Sequence, residues 1–91
     1  GEGETSMMLA IAPETVHMEK AVDFVPDVPR SYLSYGCLLR YCPAGVWGRA
    51  TLGTAEKGEK MLERTAVLAV EEMERAFAFM SKKGRLNYSD F

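Results

Sequence analysis

The sequence predicts an α/β fold made of a short N-terminal helix, a set of extended segments and a long C-terminal helix. Three observations carry that reading. An apolar run, Met7-Met8-Leu9-Ala10-Ile11-Ala12, follows Thr5-Ser6 and is stopped by Pro13. Residues 21–41 are rich in Val, Tyr and Leu but are broken by Pro26, Pro29 and Gly36. From Thr54 onward, apolar residues recur at helical spacing through a long stretch without proline.

The first helix is expected from about Ser6 to Ala12, because Ser and Thr are favoured caps and Pro13 removes a donor. Met8, Leu9 and Ala12 then share one face, and Pro13-Glu14 can open a further turn. Gly1 to Glu4 reads as a loop feeding that helix, with two carboxylates alternating with two glycines. Residues 21–41 are expected as extended segments, edge strands or poorly ordered ones, since their prolines cannot donate to a ladder. Residues 43–53, with three glycines and Trp47, read as loop. The last helix should run from Thr54 to about Met80. Thr54 caps it, Glu56 suits its positive end, and Leu62, Ala66, Ala69, Met73, Phe77 and Met80 form a stripe expected to be buried. Glu56 with Lys60, and Glu71 with Arg75, stand at i,i+4 on the opposite side, and Lys82-Lys83-Gly84 offers cations and a glycine for its end. Gly58 inside a helix costs about 1 kcal/mol relative to Ala, so it implies a close approach by another backbone.

Composition narrows the function. A chain of 91 residues forms one small domain at most, and alone it would bury only about 60–70% of its unfolded surface. A net charge of −2 gives no pull towards nucleic acid, and no apolar run is long enough to span a membrane. Cys37 and Cys42 allow a disulfide, a zinc ligand pair or free thiols; without a secretory signal, free thiols in the cytoplasm are the expectation. His17, the single histidine, is expected at the surface, and the six methionines as core filler. Trp47, in a loop with Gly45 and Gly48 on either side, suits a substrate pocket or an interface equally. Glu2 and Glu4 suit metal ligation, proton transfer, orientation of neighbouring groups, or plain solvation in a loop.

Two ordered motifs add a resemblance. Gly1-Glu2-Gly3-Glu4-Thr5-Ser6-Met7-Met8-Leu9, continuing to Pro13-Glu14 and Val16, resembles the last motif of the creatininase family of metal-dependent amidohydrolases. Gly45-Val46-Trp47-Gly48, followed by Thr51-Leu52-Gly53-Thr54-Ala55-Glu56-Lys57-Gly58-Glu59-Lys60-Met61-Leu62, is similar to the segment leading into that family's terminal helix. Between them, Lys20-Ala21-Val22-Asp23 fits a Lys-Ala-x-Asp stretch of the family, and Arg49-Ala50 stand where many relatives carry Asp-Pro. The resemblance spans residues 1 to about 72.

It implies that residues 1–91 are the C-terminal portion of a single layered α/β/α domain, with the upstream two thirds absent. The parent would hydrolyse C–N bonds of a small amide or cyclic amide with a divalent metal pair (zinc, manganese or iron), and would be a cytoplasmic homo-oligomer. The family's ligands are a Glu-x-His pair, an Asp and a His-x-Glu pair, with a catalytic histidine just ahead of the position of Gly1. None falls on this chain, so residues 1–91 alone are expected to bind no metal or other cofactor. Glu4 then takes a place near the catalytic centre, Gly1, Gly3 and Trp47 lie beside the substrate, and Glu2 sits at a variable position. The expected partners are the upstream portion of the enzyme, a small-molecule substrate and further copies of the chain, with no nucleic acid and no membrane. A competing reading makes the chain a stand-alone, non-enzymatic module that docks through its long C-terminal helix.

Overall fold

In a computed structural model that describes residues 1–83, helix α1 occupies Glu2–Ile11, four residues longer at its start than the sequence suggests. Gly1 is the cap, and the Thr5 amide donates to the Gly1 carbonyl at 3.1 Å. Glu2 and Glu4 therefore stand in the first turn, where negative charge suits the helix dipole, and not in a loop. Ser6 does not cap the helix. Its hydroxyl donates back to the Glu2 carbonyl at 2.6 Å, the intrahelical alternative open to a serine inside a helix. The helix ends as expected before Pro13, which opens the 3₁₀ turn Pro13–Thr15; a second such turn covers Met18–Lys20.

The segment 21–41 departs most from expectation. Only Asp23–Phe24 is extended (β1), pairing antiparallel with Gly48–Arg49 (β2), with Asp23 opposite Arg49 and Phe24 opposite Gly48. Pro26 and Pro29 stop β1 from lengthening. Beyond them the chain forms a 3₁₀ turn at Arg30–Ser34 and a single helical turn, α2, at Leu38–Tyr41. The loop expected at 43–53 holds β2 and a 3₁₀ turn at Ala50–Leu52. The described structure is thus mostly helical, with one two-stranded sheet and a long terminal helix, α3, at Ala55–Lys83.

α3 begins as the sequence predicts, with the Lys57 amide donating to the Thr54 hydroxyl at 3.2 Å. Its first two turns cross α1 at contact distance. Gly58 meets the backbone of α1 directly: a Cβ there would overlap the Ser6 carbonyl and come within 2.9 Å of the Met7 amide nitrogen. That is the close approach the helical glycine implied. Ser6, fully buried, also accepts a hydrogen bond from the Thr54 amide at 3.1 Å, so one hydroxyl serves both helices. Gly53 lies against Thr5, and a Cβ on it would sit 2.8 Å from the Thr5 methyl. Lys57 completes the joint, donating to Glu2 and to the Leu52 carbonyl, both at 2.8 Å.

Past Leu62 the helix leaves this joint. The stripe expected to be buried is open among the described residues: Met73 is 53% and Phe77 65% exposed. Met8, Met61 and Met80 are also exposed to a large part of their surface, between 39% and 50%, so these methionines do not fill a core here. The physical reason is that α1 is one-third the length of α3 and crosses it near one end. Accordingly the radius of gyration is 19.2 Å, against about 12 Å for a compact chain of this size. Glu56 pairs with Lys60 at 3.4 Å as expected, whereas Arg75 pairs with Glu72 at 2.6 Å and not with Glu71. Gly84, expected to end the helix, lies outside the described residues.

The joint generates a stability test. Gly58→Ala improves helix propensity by about 1 kcal/mol. Steric overlap with Ser6 should still make it net destabilising, by about 1–3 kcal/mol in urea unfolding followed by circular dichroism. Glu74→Ala, on the free part of α3, should stay within about 0.5 kcal/mol of the parent. Phe77→Ala, at its observed exposure, should fall well short of the ~3–5 kcal/mol expected for a buried phenylalanine.

Candidate functional site

Beside the joint, the start of α1, the 3₁₀ turn at Arg30 and the loop leading to β2 enclose a hollow of about 350 Å³. Its walls include Gly1, Glu4 and Thr5 from the cap and first turns of α1, then Arg30 and Leu38, with Val46 and Trp47 from the loop and Ala50 just after β2. Three of the four residues singled out from the sequence, Gly1, Glu4 and Trp47, therefore share one cavity although 43 positions separate Glu4 from Trp47. Gly3 is placed elsewhere. It faces α3, where a Cβ would stand 3.0 Å from the end of the Met61 side chain.

Backbone packing brings the two ends of this cavity together. Gly48 has φ +138°, a conformation that side-chain-bearing residues rarely adopt, and a Cβ on it would lie 2.9 Å from the Cα of Gly1. The two glycines allow main chain to touch main chain and set Trp47 beside the start of α1. The indole is half-buried, packs edge-on to Tyr41 with ring centres 6.4 Å apart, and has the Arg30 guanidinium 5.1 Å from its centre. The aromatic row continues outward through Tyr32 to Tyr35. Glu4 is 89% exposed, with one carboxylate oxygen 3.8 Å from the Gly1 amine, so the carboxylate stands at the mouth with further lone pairs open to a ligand N–H.

Asp23 fixes the loop from behind. Its carboxylate accepts hydrogen bonds from the Thr51 amide, at 2.9 Å, and from the Thr51 hydroxyl. These bonds tie β1 to the turn at Ala50–Leu52, whose first residue lines the hollow. They also hold the Asp23 carboxyl below its ordinary value. The Thr51 hydroxyl has the largest effect and the Thr51 amide the next; Arg49 adds to them, while partial desolvation acts the other way.

Glu2, which suited a solvated loop or a site residue, is instead the ion-pair partner of Lys57 in the helix joint. His17 is exposed, as expected, beside Glu19 at 3.5 Å. Cys37 is exposed, Cys42 buried, and both thiols are free. Among the described residues no three His, Cys, Asp or Glu side chains converge on a point where a metal ion would sit, and no helix is long and apolar enough to cross a membrane. Sequence reasoning missed Arg30 and Lys57. Lys57 had a signal, since it lies inside the second motif. Arg30 had only its place after Pro29 in a segment read as strand.

A family model described as creatinine amidohydrolase, for the creatininase family, matches residues 1–73. No curated protein and no solved structure matches the chain significantly.

The Asp23–Thr51 contact can be tested by titration. A carboxyl held below its ordinary value contributes stability that is fully present above pH 3.8 and is lost as the pH falls through the lowered value. An NMR titration should place the Asp23 midpoint below 3.8, and Thr51→Val should return it towards that value. A midpoint at or above the ordinary value, unmoved by Thr51→Val, would contradict the assignment.

Proposed function

The chain belongs to the creatininase family, and on that premise we propose that it forms part of a metal-dependent amidohydrolase acting on C–N bonds of a small amide or cyclic amide. One observation carries the reading. The two family motifs meet around a single hollow, with Glu4 from the first and Trp47 from the second on its wall. A cavity of about 350 Å³ is at the small end of the range for ligand sites, which suits a small substrate.

In this proposal Glu4 accepts a hydrogen bond from the substrate N–H and orients the scissile amide. Trp47 supplies an apolar wall that excludes water, and Gly1, without a side chain, lets the substrate approach the main chain. The residues described here do not fit a metal ion. Its ligands belong, in the proposal, to the remaining part of a layered α/β/α domain, for which residues 1–91 supply the C-terminal portion. The open stripe of α3 from Ala66 to Met80 is then the face that the parent's sheet covers. The parent's cytoplasmic location and homo-oligomeric state are part of the same proposal. The stand-alone docking module has no support in the family match, which runs through both motifs and into α3.

In the parent enzyme, Glu4→Gln should lower kcat by about 10–100-fold while metal content stays near the parent value, the usual scale for a group that orients a metal site's surroundings. Glu2→Gln should leave kcat close to the parent and lower stability by up to about 1 kcal/mol, as expected for a half-exposed ion pair. Steady-state kinetics with metal analysis on both variants checks this. Unchanged turnover in Glu4→Gln would remove Glu4 from the site.

A further inference from the structure

We propose that Arg30 is a carboxylate-binding residue, so that the ligand this hollow selects is a small amide that also carries a carboxylate. The inference takes the ligand's amide from the amidohydrolase reading and everything else from the cavity itself. Arg30 opens a 3₁₀ turn directly after Pro29, whose restricted backbone fixes where that turn starts. Its guanidinium stands 5.1 Å from the centre of the Trp47 ring, a cation–π contact that holds the group in place at the wall. Among the described residues the ion pairs engage Lys57, Lys60, Arg75, His17 and the terminal amine, and none engages Arg30. A guanidinium held by its charge over a ring keeps its N–H donors for an anion, and its fork matches the two oxygens of a carboxylate.

Glu4 lines the same hollow, where its carboxylate stands 3.8 Å from the Gly1 amine and forms no ion pair with Arg30. The wall therefore carries two charged poles that are not paired with each other, one accepting and one donating, together with the apolar side chains of Leu38, Val46 and Trp47. A neutral cyclic amide satisfies the Glu4 pole alone. A ligand with an N–H at one end and a carboxylate at the other satisfies both, and its short apolar middle lies along the indole. An N-acylated amino acid has that shape and charge pattern; a diamine or a simple carboxylate has only half of it.

Trp47 is the single tryptophan of the chain, so its fluorescence reports from the wall of the hollow itself. The 91-residue chain is titrated with N-acetylglycine and, separately, with N-acetylglycinamide, which keeps the amide and the size but lacks the carboxylate. The expected result is saturable quenching by both, with the carboxylate binding about ten-fold more tightly and its advantage shrinking as salt rises. Arg30→Gln should reduce the preference to less than about two-fold. Arg30→Lys should retain part of it, and circular dichroism should show unchanged helix in both variants. Equal, saturable binding of the two probes overturns the role of Arg30 and leaves the amidohydrolase reading intact. A preference that survives in Arg30→Gln overturns it too, and so does no saturable response to either probe. Turnover by Glu4→Gln in the parent enzyme tests the amidohydrolase reading separately.

Discussion

The crossing of α1 and α3 at Ser6 and Gly58 is the contact on which the rest of the chain depends. Two helices normally pack with their axes about 8–10 Å apart, separated by side chains. Here a glycine on one helix admits the backbone of the other, and the buried serine hydroxyl bonds within α1 while accepting from the first amide before α3. A serine buried without partners would cost the chain its desolvation penalty; with both bonds made, the polar group specifies one register of the two helices. Lys57 supports the same register from the rim, donating to Glu2 of α1 and to the Leu52 carbonyl just before α3.

The hollow is a consequence of that register. Once α1 is set against the start of α3, its first residue meets Gly48 and brings Glu4 to the loop that carries Trp47. Asp23 then pins the far side of the loop through Thr51. This explains in physical terms why two motifs far apart in sequence belong together. The second motif supplies the glycines that the first motif's backbone needs, and the first supplies the polar groups that the start of α3 needs. The acidic pole, the basic pole and the indole are surface features resting on that frame, with few buried neighbours of their own.

The helices were legible in the sequence where local chemistry dictates them. Pro13 ends α1, Thr54 caps α3, and Gly58 announces a backbone contact, because each acts through its own main chain or an immediate neighbour. The start of α1 was not legible. Gly1 and Gly3 suggest a loop, and only the packing of Gly3 on Met61 and of Gly1 on Gly48 shows why glycines tolerate helix there. The segment 21–41 misleads for a similar reason: its β-prone composition is overridden by Pro26 and Pro29, which leave a two-residue strand. Of the site, Gly1, Glu4 and Trp47 could be found from motif and residue type, and Arg30 could not, since its role depends on a ring 17 positions away. The apolar stripe of α3 is visible in the sequence, and the described residues leave it uncovered.

Native-state hydrogen exchange tests the central role of the crossing most directly. The Thr54 amide donates to Ser6 across the joint, and the Gly58 amide donates to the Thr54 carbonyl beside it. If the crossing holds the chain together, both amides should exchange only through global unfolding, with the same free energy as the Thr5 amide of α1, while amides in the free part of α3 exchange through smaller openings. Exchange of Thr54 and Gly58 at the rates of the free part of α3, with Thr5 still protected, would show that the two helices open independently and would contradict the account.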